Sequence, residues 1–177
     1  MKTNKGYSRG ARLVHWLMAL IVISMICLGS SMIQSLAVWQ MEAVNLHKSF
    51  GVLALMLVTV RLLNKIMSSS PSLPYDLPKG QKIAAQATHF GLYTLMFVMP
   101  ISGWLMQSAD GRAVSLFSWI TLPQLVEADI KLYGLFREIH GFVAWLFLLM
   151  IFIHIGAALY HGLIKRDGVL SSMVSGK

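Results

Sequence analysis

Residues 138–162 read EIHGFVAWLFLLMIFIHIGAALYHG. As a helix this stretch rises about 37 Å, enough to cross the roughly 30 Å hydrocarbon core of a bilayer. It is nearly all apolar, yet it holds His140, His154 and His161. His140 and His154 lie 14 residues apart, which at about 100° per residue is close to four full turns. Both rings therefore leave one face of the helix, offset by about 21 Å along its axis. An imidazole in hydrocarbon is costly unless it binds something, so intramembrane histidines point to function. Two on one face, one toward each side of the membrane, predict two stacked metal centres, with haem iron as the metal.

Composition agrees with a membrane setting. Of 177 residues, 56% are hydrophobic and 12% charged, and the mean hydropathy is +0.64. A soluble domain carries about twice that charge. Several apolar runs reach spanning length, which predicts an all-α integral membrane protein with residues 1–177 as one transmembrane domain. The net charge of +8 does not indicate nucleic acid, because the basic residues stand beside the apolar runs as topology signals do. The single cysteine, Cys27, lies within the first run. One cysteine excludes an internal disulfide, a CxxCH haem attachment and an iron–sulfur cluster. The first run is long, carries a histidine and lacks a small-residue cleavage site, so it reads as a retained helix.

Spans are expected at about 13–36, 47–67, 83–106 and 138–162. Lys2, Lys5, Arg9 and Arg12 precede the first, whose Gly29-Ser30-Ser31 end is soft. His47 opens the second, which closes with Arg61 and Lys65. The loop SSSPSLPYDLPKGQK, with three prolines and three consecutive serines, does not continue a helix. The third span carries His89 two turns in, and Pro100 with Gly103 predicts a kink at its far end. Within 107–137, the apolar VSLFSWITLPQLV is too short to cross and is expected to be interfacial or re-entrant. Lys and Arg are in excess before span one, after span two and in the tail with Lys165 and Arg166. The other two connections are balanced or acidic. The positive-inside rule then places both termini in the cytoplasm, and short connections give an up-down four-helix bundle.

That topology sorts the histidines by depth. His15 and His154 fall toward the cytoplasmic side, His47 and His140 toward the outer side, and each pair bridges two helices. This is the arrangement that bis-histidine ligation of two b-type haems in a bundle requires. A zinc site would need three or four ligands at one depth, often with Cys or carboxylate, and the spans hold no acid beyond Glu138 at a border. Arg137, one turn before His140, and Lys48, next to His47, are candidates for pairing with anionic haem propionates. His161 and His89 are candidates for a quinone or proton site, since quinone reduction consumes protons and histidine titrates in the right range. Gly51, Gly141 and Gly156 stand beside or one turn from ligand candidates, where a flat macrocycle needs room.

Taken together the chain resembles the bacterial cytochrome b561 family of small four-helix di-haem membrane proteins. The resemblance rests on Tyr7-Ser8 before His15-Trp16, on His47 with Val60-Arg61-Leu62-Leu63, and on His89-Phe90-Gly91-Leu92. Thr121-Leu122-Pro123 and the pair His140 and His154 complete it over essentially the whole chain. It implies two b-type haems per chain, ligated by His15 with His154 and by His47 with His140, in the bacterial inner membrane. The activity it implies is superoxide oxidation at the outer face with electron transfer to ubiquinone or another membrane quinone. Lys48, Arg112, Lys131 and Arg137 are offset there by Glu42, Asp110, Glu127, Asp129 and Glu138, which weakens steering of an anion. Related b-type subunits serve hydrogenases and formate dehydrogenases, so the alternative expectation is a membrane electron-transfer partner of a periplasmic redox protein.

Overall fold

A computed structural model describes residues 6–34, 36–67 and 78–176. The expectations for Lys2, Lys5 and the serine- and proline-rich residues 68–77 lie outside the described residues. Helix α1 (Arg9–Ile33) starts where the Ser8 hydroxyl accepts from the Ala11 N–H. Its glycine–serine end stays helical because the Ser30 and Ser31 hydroxyls donate back to the Cys27 carbonyl. Helix α2 spans Trp39–Met67, and α3 (Lys79–Ala109) runs through Pro100 without interruption. Helix α4 (Ile130–Leu159) is capped by Asp129, whose carboxylate accepts from the N–H groups of Lys131 and Leu132 at 2.7 and 2.9 Å. Among the described residues, four helices are long and apolar enough to cross a membrane. The architecture is an all-α membrane four-helix bundle.

Two helix starts differ from the expectation. Helices α2 and α4 begin well before His47 and His140, so both histidines lie inside their helices rather than at the openings. Apolar runs mark the hydrocarbon region, whereas a helix continues outward until a cap ends it. The stretch 114–126, expected to be interfacial or re-entrant, forms an antiparallel hairpin, β1 (Ser115–Leu116) against β2 (Ile120–Thr121). Phe117 and Ser118, the first two of the three residues between the strands, take φ of +46° and +62°, in the left-handed region, and the Trp119 N–H closes the turn on the Leu116 carbonyl at 2.9 Å. Side chains of the bundle hold the hairpin down. Ser49 Oγ donates to the Ser115 carbonyl and accepts from the Phe117 N–H. Trp104 Nε1 donates to the Pro123 carbonyl, and the Leu125 N–H donates to Ser108 Oγ.

At the other end of the bundle α4 loosens into a π-helical turn, Tyr160–Lys165, and the chain reverses through Arg166 and Gly168, both at positive φ. The short helix α5 (Val169–Val174) then folds back onto α4 and the start of α1. Arg12 Nη1 donates to the Val174 carbonyl and Trp16 Nε1 to the Met173 carbonyl. A Cβ at Gly162 would overlap Leu170, so this glycine permits the close return.

Packing among the helices is uneven. Helix α1 packs on α2, α3 on α4, and α2 meets α3, but neither α1 nor α2 packs closely on α4. What bridges the gap at mid-depth is apolar. Leu95, Val143 and Phe147 form a buried cluster that Val22 of α1 reaches from across the gap. Phe147 stands seven residues from both His140 and His154, so this plug separates their two levels.

Candidate functional site

The histidines meet across the gap that the helices leave open. His15 of α1 and His154 of α4 lie with ring centroids 6.2 Å apart and planes inclined at 71°. His47 of α2 and His140 of α4 repeat this at 6.3 Å and 75°. Two imidazoles on one iron, each bonded at about 2 Å with the ring centre roughly 1.2 Å behind the nitrogen, would have centroids about 6.4 Å apart. Both pairs therefore have the separation that one haem iron between them requires. The donor chemistry also fits haem b, which takes neutral imidazole nitrogens and no protein thiolate.

The outer pair is seated by glycines on neighbouring helices. A Cβ at Gly29 of α1 would stand 3.3 Å from His47 Cε1, and one at Gly103 of α3 would stand 3.1 Å from His140 Cε1. Each hairpin of helices thus lets one ring edge approach the backbone of its neighbour. Ser102 adds a polar restraint: its hydroxyl donates to the Met99 carbonyl at 2.8 Å and lies 2.9 Å from His140 Nδ1. With the hydroxyl proton so engaged, Nδ1 is the donor to Oγ and Nε2 carries the lone pair, an assignment made from the network. His47 Nδ1 is buried without a hydrogen-bond partner among the described residues. The hairpin lies close by through Ser49, two residues from His47.

Gly29, Gly103, Ser49 and Ser102 were not found by sequence reading, because nothing in their spacing marks which neighbouring helix touches a given histidine. The glycines that reading did select behave differently. No atom comes within 4 Å of a Cβ built at Gly141 or Gly156, and at Gly51 the nearest is the Met25 methyl at 4.0 Å. None of the three makes a tight helix contact.

The inner level holds more than a pair. His89 of α3 lies 5.9 Å from His154, centroid to centroid, at 58°. Arg61 of α2 acts electrostatically on His15, His89 and His154. One turn on, Lys65 sits over the Tyr93 ring at 4.5 Å from its centroid. Arg61 follows His47 by 14 residues, the interval that separates His140 from His154, so the signal for its depth was present in the sequence.

The remaining candidates lie apart from these rings. His161 Nδ1 pairs with Asp167 Oδ2 at 2.5 Å, and Asp167 Oδ1 accepts from the Val169 N–H. Burial alone would raise the Asp167 carboxyl, but the hydrogen bonds from His161 and Val169 outweigh it and hold the group below its ordinary value. Lys48 Nζ reaches the Ala113 carbonyl at 3.4 Å, and Arg137 is exposed on α4. Arg112 is paired with Asp110 at 2.7 Å.

The family model described as prokaryotic cytochrome b561 matches residues 6–176. Cytochrome b561 homolog 2 of Escherichia coli (strain K12) is 36% identical over 164 residues, covering 90% of this chain and 86% of the relative. Cytochrome b561 homolog 1 of the same organism is 29% identical over 128 residues, 72% of each chain. A probable Ni/Fe-hydrogenase B-type cytochrome subunit of Rhizobium leguminosarum bv. viciae is 29% identical over 103 residues, 55% of this chain and 41% of the relative. With four membrane-spanning helices, histidine pairs at haem spacing and a family match over nearly its full length, the chain belongs to the prokaryotic cytochrome b561 family of multi-pass bacterial membrane proteins that bind b-type haem and transfer electrons.

Proposed function

We propose that this protein is a single-domain, di-haem cytochrome b of the inner membrane, with both termini cytoplasmic, that carries electrons from an outer-side donor to ubiquinone. The ligand assignment is His15 with His154 for the inner haem and His47 with His140 for the outer one. The observation that carries it is the matched separation of the two ring pairs, 6.2 and 6.3 Å, between helices that do not pack closely on one another. His89 is the competing partner for His154. It projects from α3, which packs directly on α4, whereas α1 stands off from α4 and leaves space for a macrocycle.

Haem b, when bound, supplies reversible one-electron exchange. The chain's own residues do the rest. The histidine pairs hold the two centres about 21 Å apart along α4, and the plug of Leu95, Val143 and Phe147 keeps water from the path between them. The donor we propose is superoxide. Two superoxide anions giving up one electron each, with one quinone taking two electrons and two protons, balance the reaction. Lys48 and Arg137 are assigned to the propionates and the anion at the outer side. His161, oriented by Asp167 where α4 ends, is assigned to proton delivery for the quinone, with His89 in the same role beside the inner ligand.

A second reading has its own support. Arg112 is neutralised by Asp110, and one relative is named as a probable hydrogenase b-type subunit. A mixed-charge outer face suits docking of a periplasmic redox protein that would act as the donor in place of superoxide.

The experiment is a visible spectrum and haem count on detergent-purified protein, with a superoxide pulse in the presence and absence of ubiquinone. Two b-type haems, reduced by superoxide and reoxidised by quinone, are expected. Haems that respond only to quinol or dithionite would move the assignment to a protein donor. His154→Ala should cost the inner haem and spare the outer, and His140→Ala the reverse. Retention of both haems in either variant would overturn the pairing.

A further inference from the structure

Arg61 stands inside a membrane-spanning helix, six residues before its end at Met67, and among the described residues no carboxylate pairs with it. A guanidinium at such a depth is costly without an anion, and it keeps its charge at any accessible pH. Its neighbour Lys65 is already engaged with the Tyr93 ring. The position of Arg61 follows from helix geometry. Helix α2 is continuous from Trp39 to Met67, so Arg61 lies on the face of His47 and about 21 Å inward of it. His154 lies on the face of His140 with the same offset. His47 and His140 face each other, so Arg61 comes to the level of His154 on the side that looks into the open gap. Its charge acts on His15, His89 and His154, which sit on three different helices, so all three rings lie within its electrostatic reach. The rings it acts on are imidazoles, which offer a cation no compensating charge.

We propose that Arg61 is the carboxylate anchor of the inner site, its guanidinium fork binding a propionate of the haem held between His15 and His154. The proposal rests on the two-haem assignment made above. It adds a binding residue at the inner level, where the sequence reading assigned no arginine or lysine to a propionate. A planar fork suits a carboxylate better than a point charge does, because it donates two parallel hydrogen bonds. The anchor also sets the redox poise. A fixed cation beside the inner haem favours its more negative, reduced form and raises its midpoint potential relative to a site without one.

The test is a redox titration of purified R61Q and R61K with haem loaded, together with the rate at which each releases haem to a soluble haem-scavenging protein. In R61Q the inner midpoint should fall, the outer midpoint should stay in place, and inner haem should leave several-fold faster. R61K should restore most of the potential, because the charge returns, but not the slow haem release, because the fork does not. A two-haem R61Q protein with both midpoints and the release rate unmoved overturns the anchor and leaves the two-haem assignment standing. A wild-type protein with a single haem, or a His154→Ala variant that loses none, defeats the assignment itself. Should R61Q not accumulate, R61K decides: a release rate equal to wild type overturns the proposal.

Discussion

At the scale of single residues, the His47–His140 level shows how the proposed ligand His140 is aimed. His140 is held by Gly103 behind its Cε1 edge and by Ser102 at Nδ1, with the Ser102 proton passed on to the Met99 carbonyl. A hydrogen bond to the distal nitrogen of a metal-bound imidazole fixes its tautomer and makes it a stronger donor. Stronger donation stabilises the oxidised metal, so Ser102→Ala should raise the midpoint of the outer haem and leave the inner one alone. The ceiling on the shift is about 40 mV, the one-electron equivalent of roughly 1 kcal/mol for a neutral hydrogen bond. A redox titration resolving both haems checks this, and an outer midpoint that stays or falls would count against the tautomer assigned. The residue types at the ligand positions were legible in sequence, since histidine in hydrocarbon is conspicuous. Ser102 and Gly103 were not, because small residues are common in membrane helices and only their neighbours give them meaning.

Among the elements, the end of α4 and the return of α5 form a latch. His161 and Val169 both donate to Asp167, across the left-handed residues Arg166 and Gly168. The depressed Asp167 carboxyl contributes stability that is present above its ordinary value of 3.8 and lost as pH falls through the lower folded value. The latch should therefore hold at neutral pH and loosen only in acid below that range. A spin label at Ser175 in otherwise intact protein should report an immobile α5 at neutral pH and a mobile one in strong acid. Asp167→Asn should mobilise the label at neutral pH, at a cost of about 1 kcal/mol for one hydrogen-bonded contact at a partly exposed site. Equal label mobility in both proteins would show that the contacts of Arg12, Trp16 and Tyr7 hold α5 without the Asp167 bonds. The sequence offered His161 but not Asp167 as its partner. Their separation of six residues does not bring side chains together on a regular helix, and the contact exists only because the helix widens and reverses.

For the whole molecule, two helix hairpins face each other across a gap that the histidines and an apolar plug span. Tyr7 and Ser172 are hydrogen-bonded, so the two ends of the described chain lie on one side of the bundle, and the hairpin 115–121 lies on the other. Orientation is then a single two-way choice, which the distribution of Lys and Arg assigns with the ends inside. Cys27 replaced by Ser and single cysteines placed at Glu127 or Ser175 make a direct check. In intact cells an impermeant maleimide should label Glu127→Cys and leave Ser175→Cys unlabelled until the membrane is opened. The reverse pattern would invert the bundle, put the His47 and His140 level inside, and remove an outer donor from the proposed reaction. Either result leaves the fold and the spacing of the pairs unchanged.

The sequence by itself determined that four helices cross a membrane, because apolar length is additive along the chain and needs no knowledge of contacts. It also determined that His140 and His154 share a face, since a helix repeats at a constant angle. It placed the four ligand candidates at two depths for the same reason. Tertiary structure decided which helices touch and which stand apart, and hence that α4 packs on α3 and meets α1 and α2 through the histidines and the apolar plug. It also brought His89 and Arg61 to the inner level, set His140 against Ser102 and Gly103, and folded the apolar 114–126 stretch into a hairpin. These are matters of rotation and approach between separate segments. A one-dimensional pattern records the depth of a residue along its own helix but not the direction from which another helix arrives.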